Sequence, residues 1–188
     1  MMNDRERWNA KFLAGEAQSA DPDPLLIEAC SALPPASALD LAGGAGRHAI
    51  WLAQHGWRVL LTDASDEGLA LATKRAAEAG VALTFRRESV EETVAWATLY
   101  RDIYDTRFDL ITVFWFLARD QFADLAALLT SGGHLVYKTY TSVHPRFAEG
   151  HSLRYALAPG ELSTAFPKLE TILYHEADGV AELVARAL

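Results

Sequence analysis

A glycine-rich turn between two short apolar runs is the feature that most constrains this chain. Residues 38–65 read ALDLAGGAGRHAIWLAQHGWRVLLTDAS. The first apolar run ends at Asp40 and Leu41, a helical pattern of apolar residues follows the glycines, and a second, partly β-branched run stops at Asp63. Strand, glycine turn, helix and strand together make one βαβ unit, which favours a parallel sheet with helices packed on it.

The glycines and the acids beside them predict a ligand site. Glycines let the chain turn sharply and let a ligand approach, and the next helix directs its free N–H groups to the same place. The spacing Gly44-x-Gly46-x-x-Ala49 fits a dinucleotide fingerprint. However, Asp40 would repel a pyrophosphate there, and it suits a ligand with positive charge and no phosphate. S-adenosylmethionine is such a ligand, and Asp63 is placed to accept hydrogen bonds from both hydroxyls of its ribose.

The segments LDLAGGAGRHAIWLA and VLLTDAS resemble motifs I and II of class I S-adenosylmethionine-dependent methyltransferases. The branch that they resemble is the small bacterial one with tellurite-resistance and thiopurine methyltransferase-like proteins, although the usual motif has glycine where this chain has Ala42. The resemblance covers nearly the whole chain. It implies a Rossmann-like, doubly wound, mostly parallel seven-stranded sheet with an antiparallel edge strand. It also implies one domain over residues 1–188, with residues 1–35 as an N-terminal helical cap.

The resemblance also implies which residues bind the cofactor. In related methyltransferases the loop after the third strand holds the adenine, and here that loop contains Ser89, Val90 and Glu91, which equally suit the start of a helix. The full set of cofactor-binding candidates is Asp40, Ala42, Gly43, Gly44, Gly46, Arg47, Asp63, Ala64, Ser89, Val90, Glu91 and Phe114.

In this fold the residues after the fourth strand face the methyl group, and here they are Phe114, Trp115, Phe116 and Leu117. There is no N-P-P-Y or D-P-P-Y pattern of the kind that holds an amine in nucleobase methylation. An apolar wall excludes water but does not help to remove a proton, so it favours thiolates and other soft chalcogen anions, which are already reactive near neutral pH. The candidates for acceptor contact are Trp8, Trp115, Arg119 and His144.

Each of these four residues also has a plain structural interpretation. Trp8 lies four residues from Phe12, as on one face of an ordinary amphipathic helix over residues 4–13, although the family's N-terminal segment often folds over the cofactor. Trp115 is compatible with a core aromatic residue, Arg119 with a surface charge at a helix start, and His144 with a loop residue.

The later part of the chain predicts the remaining elements. A helical pattern covers residues 91–106, the fourth strand runs from Phe108 to Phe114, and a helix covers residues 119–130. Gly132-Gly133 is expected to open a fifth strand over residues 134–139. A last helix begins within residues 158–162, and residues 169–175 and 180–187 form an antiparallel pair of strands.

Composition narrows the possible partners and functions. The formal net charge of −8, with no Lys/Arg cluster longer than a pair, argues against nucleic acid and anionic membranes as the main partner. The apolar wall after the fourth strand, with Arg119 and His144 nearby in the sequence, instead fits a small-molecule acceptor. No apolar run reaches transmembrane length, the start does not resemble a signal peptide, and the one cysteine, Cys30, suits a reducing cytoplasm. The histidine spacings predict no metal site. The alternatives are a non-catalytic S-adenosylmethionine-binding protein and an NAD-dependent oxidoreductase; Asp40 and the absence of a second substrate domain count against the oxidoreductase.

Overall fold

The computed structural model describes residues 3–16, 19–88, 106–117 and 119–188. The chain divides into two compact halves, Met1–Val94 and Ala95–Leu188. Whether residues 1–188 behave as one domain stays a prediction.

The first half contains the βαβ unit predicted from the glycine turn. Its elements are α1 (Asp4–Leu13), α2 (Pro24–Cys30), β1 (Ser37–Leu41), α3 (Arg47–Gln54), β2 (Arg58–Asp63), α4 (Asp66–Glu78) and β3 (Thr84–Arg87). The three strands pair in parallel, β1 with β2 and β2 with β3. Leu39 of β1, Leu52 of α3 and Leu61 of β2 are fully buried, so the apolar runs of the sequence form the core of this half.

Short polar residues fix where the helices of this half begin. Asn3 and Glu6 form a reciprocal capping box at α1, and Asp23 caps α2, where Pro24 takes the first helical position. The Ser65 side chain accepts the Gly68 N–H at 3.0 Å and caps α4. The carboxyl end of β2 therefore leads directly into the first turn of α4.

The second half consists mainly of strands. Its elements are β4 (Phe108–Phe114), α5 (Phe122–Ala127), β5 (Leu129–Tyr140), α6 (Glu161–Thr164), β6 (Leu169–Ala177) and β7 (Val180–Ala187). β4 pairs in parallel with β5, whereas β7 is antiparallel to both β5 and β6. Leu110, Ile111 and Val113 are fully buried, as expected for a β4 whose apolar run is continuous.

The seven strands of the described residues form a sheet in the order β3-β2-β1-β4-β5-β7-β6. This order confirms the predicted Rossmann-like, mostly parallel sheet. The antiparallel strand is β7, and it lies between β5 and the edge strand β6. Within the described ranges, none of the helices is both long and apolar enough to cross a membrane.

The prediction for residues 119–139 was wrong at one boundary. The expected helix consists of a 3₁₀ turn at Arg119–Gln121 followed by α5, and β5 begins at Leu129, before the glycines. The pairing shifts from Phe108 with Leu129 to Leu110 with His134, so the glycines lie in a bulge and do not start the strand. Gly132 adopts φ +77°, which few other residues tolerate. The glycines therefore do mark a change of chain direction, but this change lies within β5 and not before it.

The helices predicted to begin within residues 158–162 and to cover residues 91–106 have different outcomes. The last helix, α6, starts at Glu161 after Gly160, within the predicted residues 158–162, and it is only four residues long. The helical pattern predicted for residues 91–106 falls almost entirely on residues 91–105, which lie outside the described residues.

Candidate functional site

The turn between β1 and α3 is closed by backbone hydrogen bonds, and its glycines are needed for packing. The Gly43 N–H donates to the Thr62 carbonyl at 3.0 Å. A Cβ on Gly43 would lie 2.5 Å from Asp40 Oδ2, and one on Gly46, at φ +79°, would lie 3.0 Å from Ala72 Cβ. From the sequence, these glycines were predicted to let a ligand approach the backbone. The structure shows that Gly43 and Gly46 are surrounded by atoms of the fold itself.

Asp40 lies at the N-terminus of α3. It is 1% exposed, and its Oδ2 accepts the Ala49 N–H at 3.2 Å. The Ala49 N–H is one of the first N–H groups of α3, which have no acceptor within the helix. A carboxylate therefore already occupies the position where the pyrophosphate of a dinucleotide would bind. This geometry supports the sequence-based argument that the ligand is not a dinucleotide.

Asp63 ends β2 and connects the glycine turn to α4. Its Oδ2 accepts the Gly44 N–H at 2.8 Å, and its Oδ1 accepts the Ser65 N–H at 2.8 Å. Burial raises the pKa of Asp63, and the hydrogen bonds from Ser65, Gly44 and Ala64 oppose that rise. Because a carboxylate oxygen can accept more than one hydrogen bond, both oxygens retain capacity for a diol.

The helix α1 packs on this turn through Phe12. Phe12 is 6% exposed, and its ring fills the space over two glycines. A Cβ on Gly44 would lie 3.0 Å from Phe12 Cζ, and a Cβ on Gly68 would lie 2.8 Å from Phe12 Cε2. The absence of side chains at Gly44 and Gly68 therefore admits the ring of Phe12.

Asn9 fixes α1 to the first turn of α4 by hydrogen bonds. Its Oδ1 accepts from Ser65 Oγ at 2.6 Å and from the Glu67 N–H at 3.3 Å. Trp8, the residue singled out from the sequence, is half-buried, with its ring centroid 6.1 Å from that of Phe12. Phe12 is thus the aromatic residue of α1 at the turn, and the i, i+4 spacing of the two aromatics was the signal for it. A role for Trp8 in acceptor binding stays a prediction.

The other cofactor candidates have varied settings. Ala42 adopts φ +53°, a left-handed conformation that costs an L-residue roughly 1–2 kcal/mol, so the family's glycine would suit this position better. Arg47 is the first residue of α3 and donates to the Asp21 carbonyl at 3.4 Å. Ala64 is half-buried next to Asp63. Residues 89–91, the adenine candidates, lie outside the described residues.

In the second half, an aromatic segment follows β4. Phe114 is 6% exposed at the end of the strand. Trp115 adopts φ +60°, which is unusual for a bulky residue, and its N–H donates to the Lys138 carbonyl at 2.8 Å. Its ring centroid lies 4.5 Å from that of Tyr140 at the end of β5. The unusual backbone turns Trp115 towards the carboxyl end of β5.

Arg119 is held in an ion pair. Its Nε and Nη2 lie 2.5 and 2.9 Å from the two carboxylate oxygens of Glu161, and Nη2 also donates to the Ala156 carbonyl at 2.5 Å. The Arg119 hydrogen bond holds the pKa of Glu161 below its usual value. The positive charge of Arg119 is therefore already compensated, and attraction of an anionic acceptor by this residue stays a prediction.

His144 caps a 3₁₀ turn at Pro145–Phe147. Its Nδ1 accepts the Arg146 backbone N–H at 3.2 Å. In a neutral imidazole that uses Nδ1 as acceptor, Nε2 carries the proton. His144 therefore presents a donor, and not a proton acceptor, at its other nitrogen.

A family model described as a methyltransferase domain matches residues 38–133, which is just over half of the chain. The chain belongs to this methyltransferase family. The resemblance to class I S-adenosylmethionine-dependent methyltransferases is thereby confirmed, and the cofactor of this methyltransferase is S-adenosylmethionine.

Solved structures show the same fold at low sequence identity. TehB from Haemophilus influenzae is 16% identical, with a TM-score of 0.75, and the match covers 94% of this chain but only 66% of that one. The N-methyltransferase NodS from Bradyrhizobium japonicum WM9, solved with S-adenosyl-L-homocysteine, is 18% identical, with 99% of both chains covered and a TM-score of 0.75. A structure from echinomycin biosynthesis, where a disulfide becomes a thioacetal, is 17% identical, with coverages of 98% and 92% and a TM-score of 0.73. None of the curated proteins compared with the chain matches it.

The residues of this methyltransferase fit its cofactor. Asp40 occupies the α3 N-terminus that a phosphate would need, so the turn suits a cofactor without phosphate. Asp63 retains acceptor capacity at the end of β2. Among the described residues, no cluster of histidine, cysteine or acidic side chains could hold a metal ion.

Proposed function

We propose that this methyltransferase methylates a small-molecule thiolate or another soft chalcogen anion. The observation that carries the proposal is the segment after β4. Its described residues Trp115, Phe116 and Leu117 are apolar, half-buried, and contain neither a carboxylate nor an amide. Such a wall excludes water and positions a nucleophile, but it offers no group that removes a proton. A nucleophile that arrives already ionised needs no such group.

The state of His144 supports the same acceptor class. Its Nδ1 is occupied by the Arg146 N–H, so the ring would act as a base only after losing that hydrogen bond. A thiol, with a pKa of about 8.5, is partly ionised at neutral pH without help, whereas a hydroxyl is not. The absence of a ready base at His144 therefore favours sulfur over an alcohol.

Methyl transfer to a thiolate requires no protein base, because no proton has to be removed. S-adenosylmethionine, when bound, supplies a methyl group on a sulfonium, and the electron pair of the broken carbon–sulfur bond stays on the departing thioether. The acceptor sulfur forms the new bond with its own electron pair and ends neutral. What the chain supplies is position and exclusion of water.

In the first half we propose that Asp63 accepts hydrogen bonds from the ribose hydroxyls and that Asp40 provides a negative charge near the amino acid part of the cofactor. Gly44 donates its N–H to Asp63, and a Cβ on Gly44 would lie 3.0 Å from Phe12 Cζ, so the ring of Phe12 is beside the proposed ribose position. Phe12 then shields the ribose end from water.

The relatives of similar fold differ in their chemistry, and this difference sets the assay. NodS is an N-methyltransferase, whereas the echinomycin structure concerns conversion of a disulfide into a thioacetal. Labelled methyl transfer should be measured to thiols, selenite, tellurite and thiopurines, and in parallel to amines, catechols and oligonucleotides. We expect transfer to the soft nucleophiles. Transfer to amines or oligonucleotides alone would overturn the proposed acceptor.

Matched variants show whether the transfer depends on this site. Asp63→Asn removes the buried carboxylate, and transfer should fall at least tenfold. Glu78→Gln removes the same charge from the exposed end of α4 and should leave transfer unchanged. Equal activity in the two variants would dissociate the transfer from the proposed cofactor site.

A further inference from the structure

We propose that Arg146 binds a carboxylate on the methyl acceptor. The inference that this bound molecule is the acceptor rests on the proposed function; the binding of a carboxylate by Arg146 does not. Arg146 lies in the loop after β5, where the sequence had pointed only to His144.

The guanidinium of Arg146 is held by aromatic rings. Its central carbon lies 4.2 Å from the ring centroid of Tyr140 and 5.8 Å from that of Phe147. Nη2 lies 3.4 Å from Nδ1 of His151. Arginine stacks on aromatic faces while leaving its edge available for a planar anion. The orientation of the charge is thus determined before any ligand binds.

One donor of Arg146 has no acceptor among the residues that the structure describes. Its Nε is buried, and no hydrogen-bond partner for it is found within the described part of the chain. No carboxylate of those residues forms an ion pair with Arg146. Buried polar groups in native proteins normally have partners, and an orphaned donor on a cation calls for an anionic acceptor.

Two other cations of this half are already paired. Lys138 Nζ lies 2.7 Å from Glu182 Oε1, and Arg119 forms the two-point ion pair with Glu161. An anion that approaches this region therefore meets compensated charges at Lys138 and Arg119, whereas no acidic side chain within the described ranges is paired with Arg146.

The position of Arg146 matches the place where ligands bind in this architecture. Ligands of open α/β sheets bind outside the carboxyl ends of the parallel strands. Tyr140 ends β5, and its ring centroid lies 4.5 Å from that of Trp115 and 4.2 Å from the central guanidinium carbon of Arg146. A small molecule placed at the aromatic segment after β4 is therefore about one side chain away from Arg146.

The loop that carries Arg146 is fixed against the β6–β7 turn. The Thr141 N–H donates to the Gly179 carbonyl at 2.8 Å, and a Cβ on Gly179 would lie only 2.3 Å from the Cα of His144. His144 in turn accepts the Arg146 backbone N–H. This chain of contacts positions Arg146, which suits a specificity-determining residue better than a mobile surface charge.

These contacts define a chemical class of acceptor. A carboxylate presents two oxygens in one plane, which matches the planar donor edge of a guanidinium. The aromatic rings beside it suit a flat organic group. We therefore infer an acceptor that carries its soft nucleophile and a carboxylate on one small, flat framework.

Calorimetry with a non-reactive probe pair tests this inference. The protein is first saturated with S-adenosylhomocysteine and then titrated with 4-(methylsulfanyl)benzoate or with its neutral amide. We expect the wild-type protein to bind the carboxylate at least tenfold more tightly than the amide. Arg146→Gln should abolish this preference, and Arg146→Lys should restore only part of it, because lysine keeps the charge and loses the planar fork.

Arg186→Gln is the matched control. Arg186 is exposed on β7 and pairs with His134, six residues before Tyr140 in β5, which separates it from Tyr140 by roughly 20 Å at about 3.3 Å per strand residue. This variant has the same net charge as Arg146→Gln and should keep the wild-type preference. Equal loss in both variants would indicate a general charge effect and overturn the proposal.

The wild-type comparison needs no variant to fold. If the wild-type protein binds the carboxylate no better than the amide, the proposal fails whatever Arg146→Gln does. The outcome is also separate from that of the proposed function. Methyl transfer to amines with the carboxylate preference intact would overturn the sulfur acceptor and support carboxylate binding by Arg146. Methyl transfer to thiols without that preference would support the sulfur acceptor and overturn carboxylate binding by Arg146.

Discussion

The contact between Phe12 and Gly68 makes a prediction whose sign changes with the protein background. Gly68 lies in the first turn of α4, and a Cβ there would be 2.8 Å from Phe12 Cε2 and 3.2 Å from two further atoms of that ring. Real Cβ atoms do not approach so closely, so Gly68→Ala must displace Phe12. Overpacking of this kind costs about 1–3 kcal/mol.

An opposing term comes from the helix. Alanine is favoured over glycine in a helix by about 1 kcal/mol, and the φ of Gly68 is not one that favours glycine. In the wild-type background the two terms leave a net destabilisation of roughly 0–2 kcal/mol. In a Phe12→Ala background the ring is gone, and Gly68→Ala should stabilise the protein by up to about 1 kcal/mol.

A double-mutant cycle measures this coupling: urea unfolding of the wild type, Gly68→Ala, Phe12→Ala and the double variant is followed by far-ultraviolet circular dichroism. We expect a coupling free energy of about 1–3 kcal/mol between residues 12 and 68, equal to the overpacking term. If Gly68→Ala changes the free energy of unfolding equally in both backgrounds, within about 0.5 kcal/mol, Phe12 does not pack on α4 as described.

Three further predictions concern the two halves. Asp63→Ala should weaken S-adenosylhomocysteine binding by about 1.5–3 kcal/mol in calorimetry, and an unchanged affinity would show that Asp63 is not part of the site. In the wild type, binding should weaken as pH falls, and this weakening should start above the pH range of an ordinary aspartate because burial raises the pKa of Asp63. Gly46→Ala should lower the free energy of unfolding by about 1–3 kcal/mol more than Gly132→Ala, since both have a left-handed φ but only Gly46 has close neighbours; equal losses would contradict this. Arg119→Met should cost about 0–1 kcal/mol at pH 7. Because Arg119 depresses the pKa of Glu161, the stability from this ion pair is present above the unfolded-state pKa of Glu161 and is lost as pH falls through its folded-state pKa. If the urea midpoints of the wild type and Arg119→Met differ by the same amount at pH 7 and at pH 3, this prediction is refuted.

The sequence predicted the sheet well because its signals are local. The apolar run at Phe108–Phe114 and the run ending at Asp63 are bounded by turns, and the strands lie where those runs are. The strand β5 was less predictable. Leu129 pairs with Phe108 before the bulge, and this contact depends on a partner 21 residues earlier that no local pattern reveals.

The candidate site divides in the same way. Asp40 and Asp63 were identified from their places beside the glycines, and both carboxylates do accept backbone N–H groups of the turn and its helix. Phe12 was visible only as the partner of Trp8 on one helix face. Arg146 had no sequence signal, because its surroundings come from Tyr140, Phe147 and His151, which surround it only once the loop after β5 is folded.

The placement of β7 between β5 and β6 has a consequence for how the second half is made. β6 precedes β7 in the chain, yet among the described strands β6 bonds only to β7, so it cannot join the sheet when it is synthesised. Until β7 inserts, β5 keeps one edge of unpaired backbone groups, and an open edge of a buried, apolar strand is prone to pair with another chain. The nascent protein thus passes through a stage in which aggregation competes with folding, and this stage ends when residues 180–187 pair on both sides.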